Sequence, residues 1–99
     1  MQEIEFEWDS KKEQVNFKKH GISFLEAIEV FNDLDYLESY DVKNSLIEDR
    51  YIIIGKIEKG IIVFVYTIRK ECIRVISARM ATKEEERAYY ESKSHSHSR

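Results

Sequence analysis

The chain has 99 residues, a net charge of −3, 42% hydrophobic residues and 35% charged ones, which fits one domain with a modest core and a densely charged surface. No apolar run approaches the roughly 20 residues a membrane-spanning helix needs, and the acidic opening MQEIEFEWD lacks the basic-then-apolar order of a signal peptide. With only three glycines and one cysteine there is no Gly-rich phosphate cradle, intrachain disulfide or Cys/His zinc cluster, so neither a cofactor nor a metal is expected.

Glu3 to Trp8 alternates strictly, with Ile4, Phe6 and Trp8 on one side and Glu3, Glu5 and Glu7 on the other. It predicts a strand with one wet face near a sheet edge, with Trp8 a core anchor. Ser10 and Glu13 have capping-box spacing, predicting a helix over about 11–19 that stops at Gly21, with Lys18, Lys19 and His20 in its last turn. Ser23 and Glu26 repeat the box before the apolar stripe Phe24, Ala27, Ile28 and Phe31, and Asn32 and Asp33 end that helix. Tyr36 to Tyr40 predicts a short strand, and 41–49 a polar loop.

Three strands follow in quick succession: 50–57, 61–68 and 72–78. Ile61 to Ile68 is apolar on both faces and belongs in the middle of the sheet. The short turns 58–60 and 69–71 force antiparallel pairing. Cys72, within the last strand, reads as a small buried hydrophobe in a reducing, cytoplasmic setting. Thr82 and Glu85 form a third capping box, opening a helix that ends near Tyr90 or Glu91. The expected domain covers 1–91. The remaining 92–99 has no apolar residue and reads as a disordered tail, in which His95 and His97 make a poor metal site. The fold class is α+β: a small, twisted, mainly antiparallel sheet with two N-terminal helices and one C-terminal helix.

Charge is unevenly spread. Residues 1–49 carry five Lys or Arg against thirteen Asp or Glu, a net −8, whereas 50–99 carry eleven against six, a net +5. A basic face on an acidic whole can still draw an anion, because local potential does the steering. Lys19, His20, Glu48, Arg50, Arg69, Arg74 and Arg79 fall at element ends, and Tyr90 lies on the last helix. Such a set suits metal-free RNA cleavage, in which the substrate supplies its 2′-hydroxyl as nucleophile. The enzyme adds a base, an acid and cations for the charged phosphorane. His20 and Glu48 are the rival bases. Each arginine also fits a solvated edge charge paired with a glutamate.

In sequence order, FEWD at 6–9, Lys12, Asn16, KHGISF at 19–24, Ala27, Phe31, Asp33, the Glu48–Tyr51 segment, Gly55, Arg69, RVISARMAT at 74–82, Glu86, Arg87 and Tyr90 resemble the BrnT toxins of bacterial type II toxin–antitoxin systems, related in fold to RelE-type ribonucleases. The resemblance spans about residues 6–91. It implies a small cytoplasmic endoribonuclease that halts translation and growth. A BrnA-like ribbon-helix-helix antitoxin would neutralise it in a heterotetramer that touches DNA only through the antitoxin. By analogy with RelE-type sites it gives catalytic weight to Arg69 and Arg79. His20 and Glu48 as catalytic groups, and Lys19, Arg50, Arg74 and Tyr90 as RNA contacts, follow from their chemistry. The chain departs from the family where the turn Arg69-Lys70-Glu71 lacks a glycine and where Leu34, in place of proline, follows Asp33. The rival class is a catalytically inactive binding module in an antitoxin–DNA repressor complex; a scaffold unrelated to RNA rests only on the net charge.

Overall fold

The computed structural model describes residues 4–97. In chain order these form β1 (Phe6–Glu7), α1 (Ser10–His20), α2 (Phe24–Ala27) running on into a 3-10 helix (Ile28–Asn32), and β2 (Leu37–Tyr40). After a 3-10 turn (Val42–Asn44) come β3 (Tyr51–Ile57), β4 (Gly60–Arg69), β5 (Cys72–Met80) and α3 (Lys83–His97). The five strands form one sheet in the order β1-β5-β4-β3-β2. All neighbours are antiparallel except β1, which lies parallel to β5 through Phe6↔Ile73 and Glu7↔Arg74. As its sequence predicts, β4 takes the centre. Its run from Ile61 to Phe64 is buried because both sheet faces are covered there.

One face carries Ile53, Ile57, Ile62, Phe64, Tyr66, Val75 and Ala78, which join Ile22, Phe24, Ala27 and Val30 in the main core. Burying each large aliphatic or aromatic side chain contributes roughly 1.5–3 kcal/mol. Trp8 packs edge-on against Phe24 at 6.0 Å, the anchoring role expected of it. Gly55 lets the 3-10 helix approach β3: a Cβ there would stand 2.5 Å from Cγ2 of Val30. Asn16, on α1, is buried and does the work of a missing strand. Its Nδ2 donates to the carbonyl of Ala78 at 2.9 Å, and the Ala78 N–H donates to its Oδ1 at 3.3 Å. Those groups would otherwise be orphaned, since β1 pairs only with Ile73 and Arg74.

The second face carries Val63, Val65, Thr67 and Arg69 from β4. The register places Arg79, Ser77, Arg74 and Cys72 opposite them on β5. Val65 pairs with Ser77 but Tyr66 with Val75, so Ile76 is a bulge residue. α3 lies over one end of this face, where Glu85 holds Arg79 and the buried Tyr89 donates to Asp33 at 2.7 Å. The loop 41–50 closes over the other end. There Thr67 donates its hydroxyl to the carbonyl of Asp49.

Several expectations change. β1 pairs over Phe6 and Glu7 only; its expected start at Glu3 lies outside the described residues. Asp9, not Ser10, caps α1, accepting from the N–H groups of Lys11 and Lys12. Asp and Ser are comparable caps, and Asp9 leaves Glu13 free to accept the Phe24 N–H that opens α2. The boxes at Ser23/Glu26 and Thr82/Glu85 form as read. α3 does not stop at Tyr90 or Glu91 but runs to His97, so 92–97 is helical where a disordered tail is expected. No glycine or proline interrupts it, and Lys93 adds an ion pair to Asp35 at 3.7 Å. The last two residues lie outside the described residues. Cys72 is half-buried rather than buried: β5 is joined there by the short β1, and its thiol donates to the Glu5 carbonyl at 3.3 Å.

Candidate active site

The polar loop 41–50 is built by its own side chains. Asp41 caps the 3-10 turn by accepting from the Asn44 N–H, Ser45 donates to the Asp41 carbonyl, and the Arg50 N–H donates to the Ser45 hydroxyl. The Asp41 N–H donates to the Arg50 carbonyl at 2.8 Å, closing the loop's base. This places Glu48 over the second sheet face. Its Oε1 accepts from Nη2 and Nε of Arg69 at 2.9 and 3.3 Å, and its Oε2 lies 3.7 Å from Arg50. The Arg69 bond, aided by the charges of Arg69, Arg50 and Arg74, holds the Glu48 carboxyl below the usual carboxylate range. Glu48 is therefore ionised at neutral pH, and three guanidinium groups act on it from β3's entry, β4 and β5.

Arg74 links this cluster to α1. It donates to Glu7 at 3.1 Å. With Lys12 it also adds to the fields that lower the Asp9 carboxyl, whose main causes are the Lys12 and Lys11 N–H bonds. Along α1, Lys12, Asn16 and His20 form one row at helical spacing, and Lys11, Val15 and Lys19 the next. Both rows line a depression against Ile76 and Ser77 at the bulge of β5. Basic groups thus run from Arg50 and Arg69, past Arg74 and Lys12, to Lys19 and His20.

The eight residues singled out in the sequence therefore divide. Glu48, Arg50, Arg69 and Arg74 come together. Lys19 and His20 line the separate α1–β5 depression rather than facing Glu48. Arg79 is held by Glu85 through two bonds of 2.8 Å, which raise its pKa while drawing the Glu85 carboxyl down to about 2. Tyr90 is half-exposed on α3, its ring edge-on to Tyr89 at 5.1 Å. Lys12 and Asn16 were legible only as matches to a family pattern. Lys11 had no signal beyond its charge, because nothing local shows which helix face meets β5.

The sequence profile described as the ribonuclease toxin BrnT of type II toxin–antitoxin systems matches residues 8–85. The chain belongs to the BrnT family. It is a ribonuclease toxin of the type II class, with an antitoxin as its partner and RNA as its substrate. The matched span takes in the α1 rows, the Glu48 loop, β4 and β5, and stops at Glu85, the residue that holds Arg79. No curated protein matches the chain. Among the described residues, no helix is long and apolar enough to cross a membrane.

Proposed function

We propose that this BrnT-family chain is a metal-independent endoribonuclease that cuts RNA in the cytoplasm and so arrests translation and growth. The observation that carries this reading is the ionised Glu48 among Arg50, Arg69 and Arg74 on one sheet face. Glu48 takes the proton of a 2′-hydroxyl, and the 2′-oxygen attacks the adjacent phosphorus. The bond from phosphorus to the 5′-oxygen breaks, and that oxygen leaves with a proton from water. The products are a 2′,3′-cyclic phosphate and a 5′-hydroxyl. The guanidinium groups stabilise the charge that builds on the phosphorane.

Lys19, His20 and Lys12 hold the RNA backbone beside β5, and Tyr90 contacts RNA where it passes α3. Arg79 acts on the phosphate once RNA competes with Glu85 for it. A BrnA-like ribbon-helix-helix antitoxin covers the basic strip in a heterotetramer that meets DNA only through the antitoxin.

The test is cleavage of labelled RNA by antitoxin-free protein in EDTA, beside Glu48→Gln and Arg69→Ala. The wild type should cut and leave cyclic phosphate ends. Each variant should lose about 100-fold or more in rate, as removal of a general base or a charge-stabilising donor does, with unchanged thermal unfolding. Cutting that needs a divalent ion, or full activity in both variants, would sink the proposal. One observation favours the inactive binding module: Arg69, Arg74 and Arg79 are each neutralised by a carboxylate of the chain itself. That reading requires uncut RNA together with tight antitoxin binding.

A further inference from the structure

Loop 41–50 ends in a feature that proton transfer at Glu48 does not use. Leu46 and Ile47 are 93% and 100% exposed, although the loop that carries them is pinned. Its base is closed by the Asp41–Arg50 bond, its interior by Ser45, and its far side by the Tyr40 hydroxyl donating to Asp49 at 2.8 Å. Two adjacent aliphatic side chains thus stand in water on a fixed support. They share one depression with Lys43, Arg50 and Arg69.

We propose that Leu46 and Ile47 form a wedge that enters the base stack of single-stranded RNA and splays the nucleotides on either side of the phosphate held by Arg50 and Arg69 beside Glu48. This rests on the ribonuclease reading above. The cations around the two residues fit phosphates, while the aliphatic surfaces fit base faces, which become accessible when a stack opens. The chemistry needs that opening. Attack by a 2′-oxygen requires it to line up with phosphorus and the departing 5′-oxygen, and stacked, A-form geometry holds the 2′-oxygen off that line. A wedge beside Glu48 opens the stack where alignment is needed and gives a preference among sequences through stacking strength rather than base-edge hydrogen bonds.

The test uses fully 2′-O-methylated, A-rich oligonucleotides carrying 2-aminopurine, whose fluorescence rises when its neighbours unstack. The wild type should raise that fluorescence on binding. Leu46→Ser/Ile47→Ser, measured at saturation by anisotropy, should bind without the rise, and Leu34→Ser, a control at another fully exposed leucine, should behave as wild type. On unmodified RNA, the variant's ratio of A-rich to U-rich cleavage should fall about tenfold, since stacking is worth roughly 1–3 kcal/mol per base. The same rise with wild type and variant, or none with wild type, would overturn the wedge. So would a variant that keeps the rise but loses antitoxin affinity, which would make the tip a protein contact. Because methylated RNA cannot be cut, the rise is scored whether or not the protein is a nuclease. A rise without cleavage removes the nuclease and keeps the wedge; cleavage without a rise does the reverse.

Discussion

Glu85 joins three structures with one carboxylate. It completes the capping box by accepting the Thr82 N–H, holds both Nη atoms of Arg79, and so ties α3 to the second face of β5. These bonds, the Arg79 pair foremost, depress its pKa from 4.5 to about 2. A depressed carboxyl stabilises the folded state fully above its unfolded value. That contribution is lost as pH falls from about 4.5 towards about 2. Glu85→Gln keeps the side chain's length but loses the charge. It should cost about 1–2 kcal/mol at pH 7, a figure discounted because the Arg79 side chain is more than a third exposed. Urea unfolding at pH 7 and at pH 2 checks this: the gap between wild type and variant should shrink at the lower pH. A gap that is the same at both would show that the pair contributes through packing rather than charge. The Thr82/Glu85 box was legible from spacing alone, because both partners sit three residues apart. The Arg79 link was not, since an arginine at a strand end has many glutamates to choose from.

The β4–β5 hairpin shows how an element tolerates a residue that disfavours it. Lys70 and Glu71 both have positive φ, 51° and 65°, the backbone of a type I′ turn, which asparagine and glycine adopt readily and other side chains resist. The turn Lys70-Glu71 holds no glycine, yet the strands on either side keep their register through Arg69↔Cys72 and Ile68↔Ile73. The apolar central strand therefore overrides the turn's preference. Lys70→Asn/Glu71→Gly should stabilise the chain by about 1–2 kcal/mol, read as a higher urea midpoint with an unchanged slope. No gain would mean that the relief is cancelled by the larger freedom of glycine in the unfolded chain. Where local chemistry fixes an element, as at Ser23/Glu26, at Gly21 or in the apolar β4, the sequence was sufficient to read it. Where a distant partner decides, it was not. Asn16 finds Ala78 62 residues away, Asp9 rather than Ser10 caps α1 while Glu13 accepts from Phe24, and α3 outruns its expected end with Lys93 on Asp35. The candidate site divides the same way. The sequence supplied the cationic and carboxylate residues. The fold of loop 41–50 decided that Glu48 would join Arg50, Arg69 and Arg74, while His20 lines the α1–β5 depression at the bulge of β5.

At the scale of the whole molecule, the net charge of −3 conceals a basic strip. Arg50, Arg69 and Arg74 lie at one end of the second sheet face, and Lys12, Lys19 and His20 continue it along α1. Glu7, Asp9 and Glu48 are interleaved with these cations and already pair or couple with them. RNA bound along this strip, as proposed above, would have to displace internal carboxylates, which keeps affinity modest, and the phosphates it neutralises would set the dependence on salt. If about four phosphates are neutralised, the plot of log affinity against log salt should have a slope near −3, taking about −0.7 per phosphate for a single strand. Raising salt from about 50 to about 200 mM would then weaken binding of a non-cleavable oligonucleotide by about 60-fold. Lys12→Ala/Lys19→Ala should flatten that slope by about 1.4 without altering the Glu48 cluster, because both side chains lie on the α1 side of β5. Fluorescence anisotropy across a salt series measures both slopes. An unchanged slope in the double variant would confine RNA to the loop 41–50 end and remove α1 from the binding surface. A slope near zero in the wild type would mean that the internal carboxylates keep the arginines out of reach of phosphate altogether.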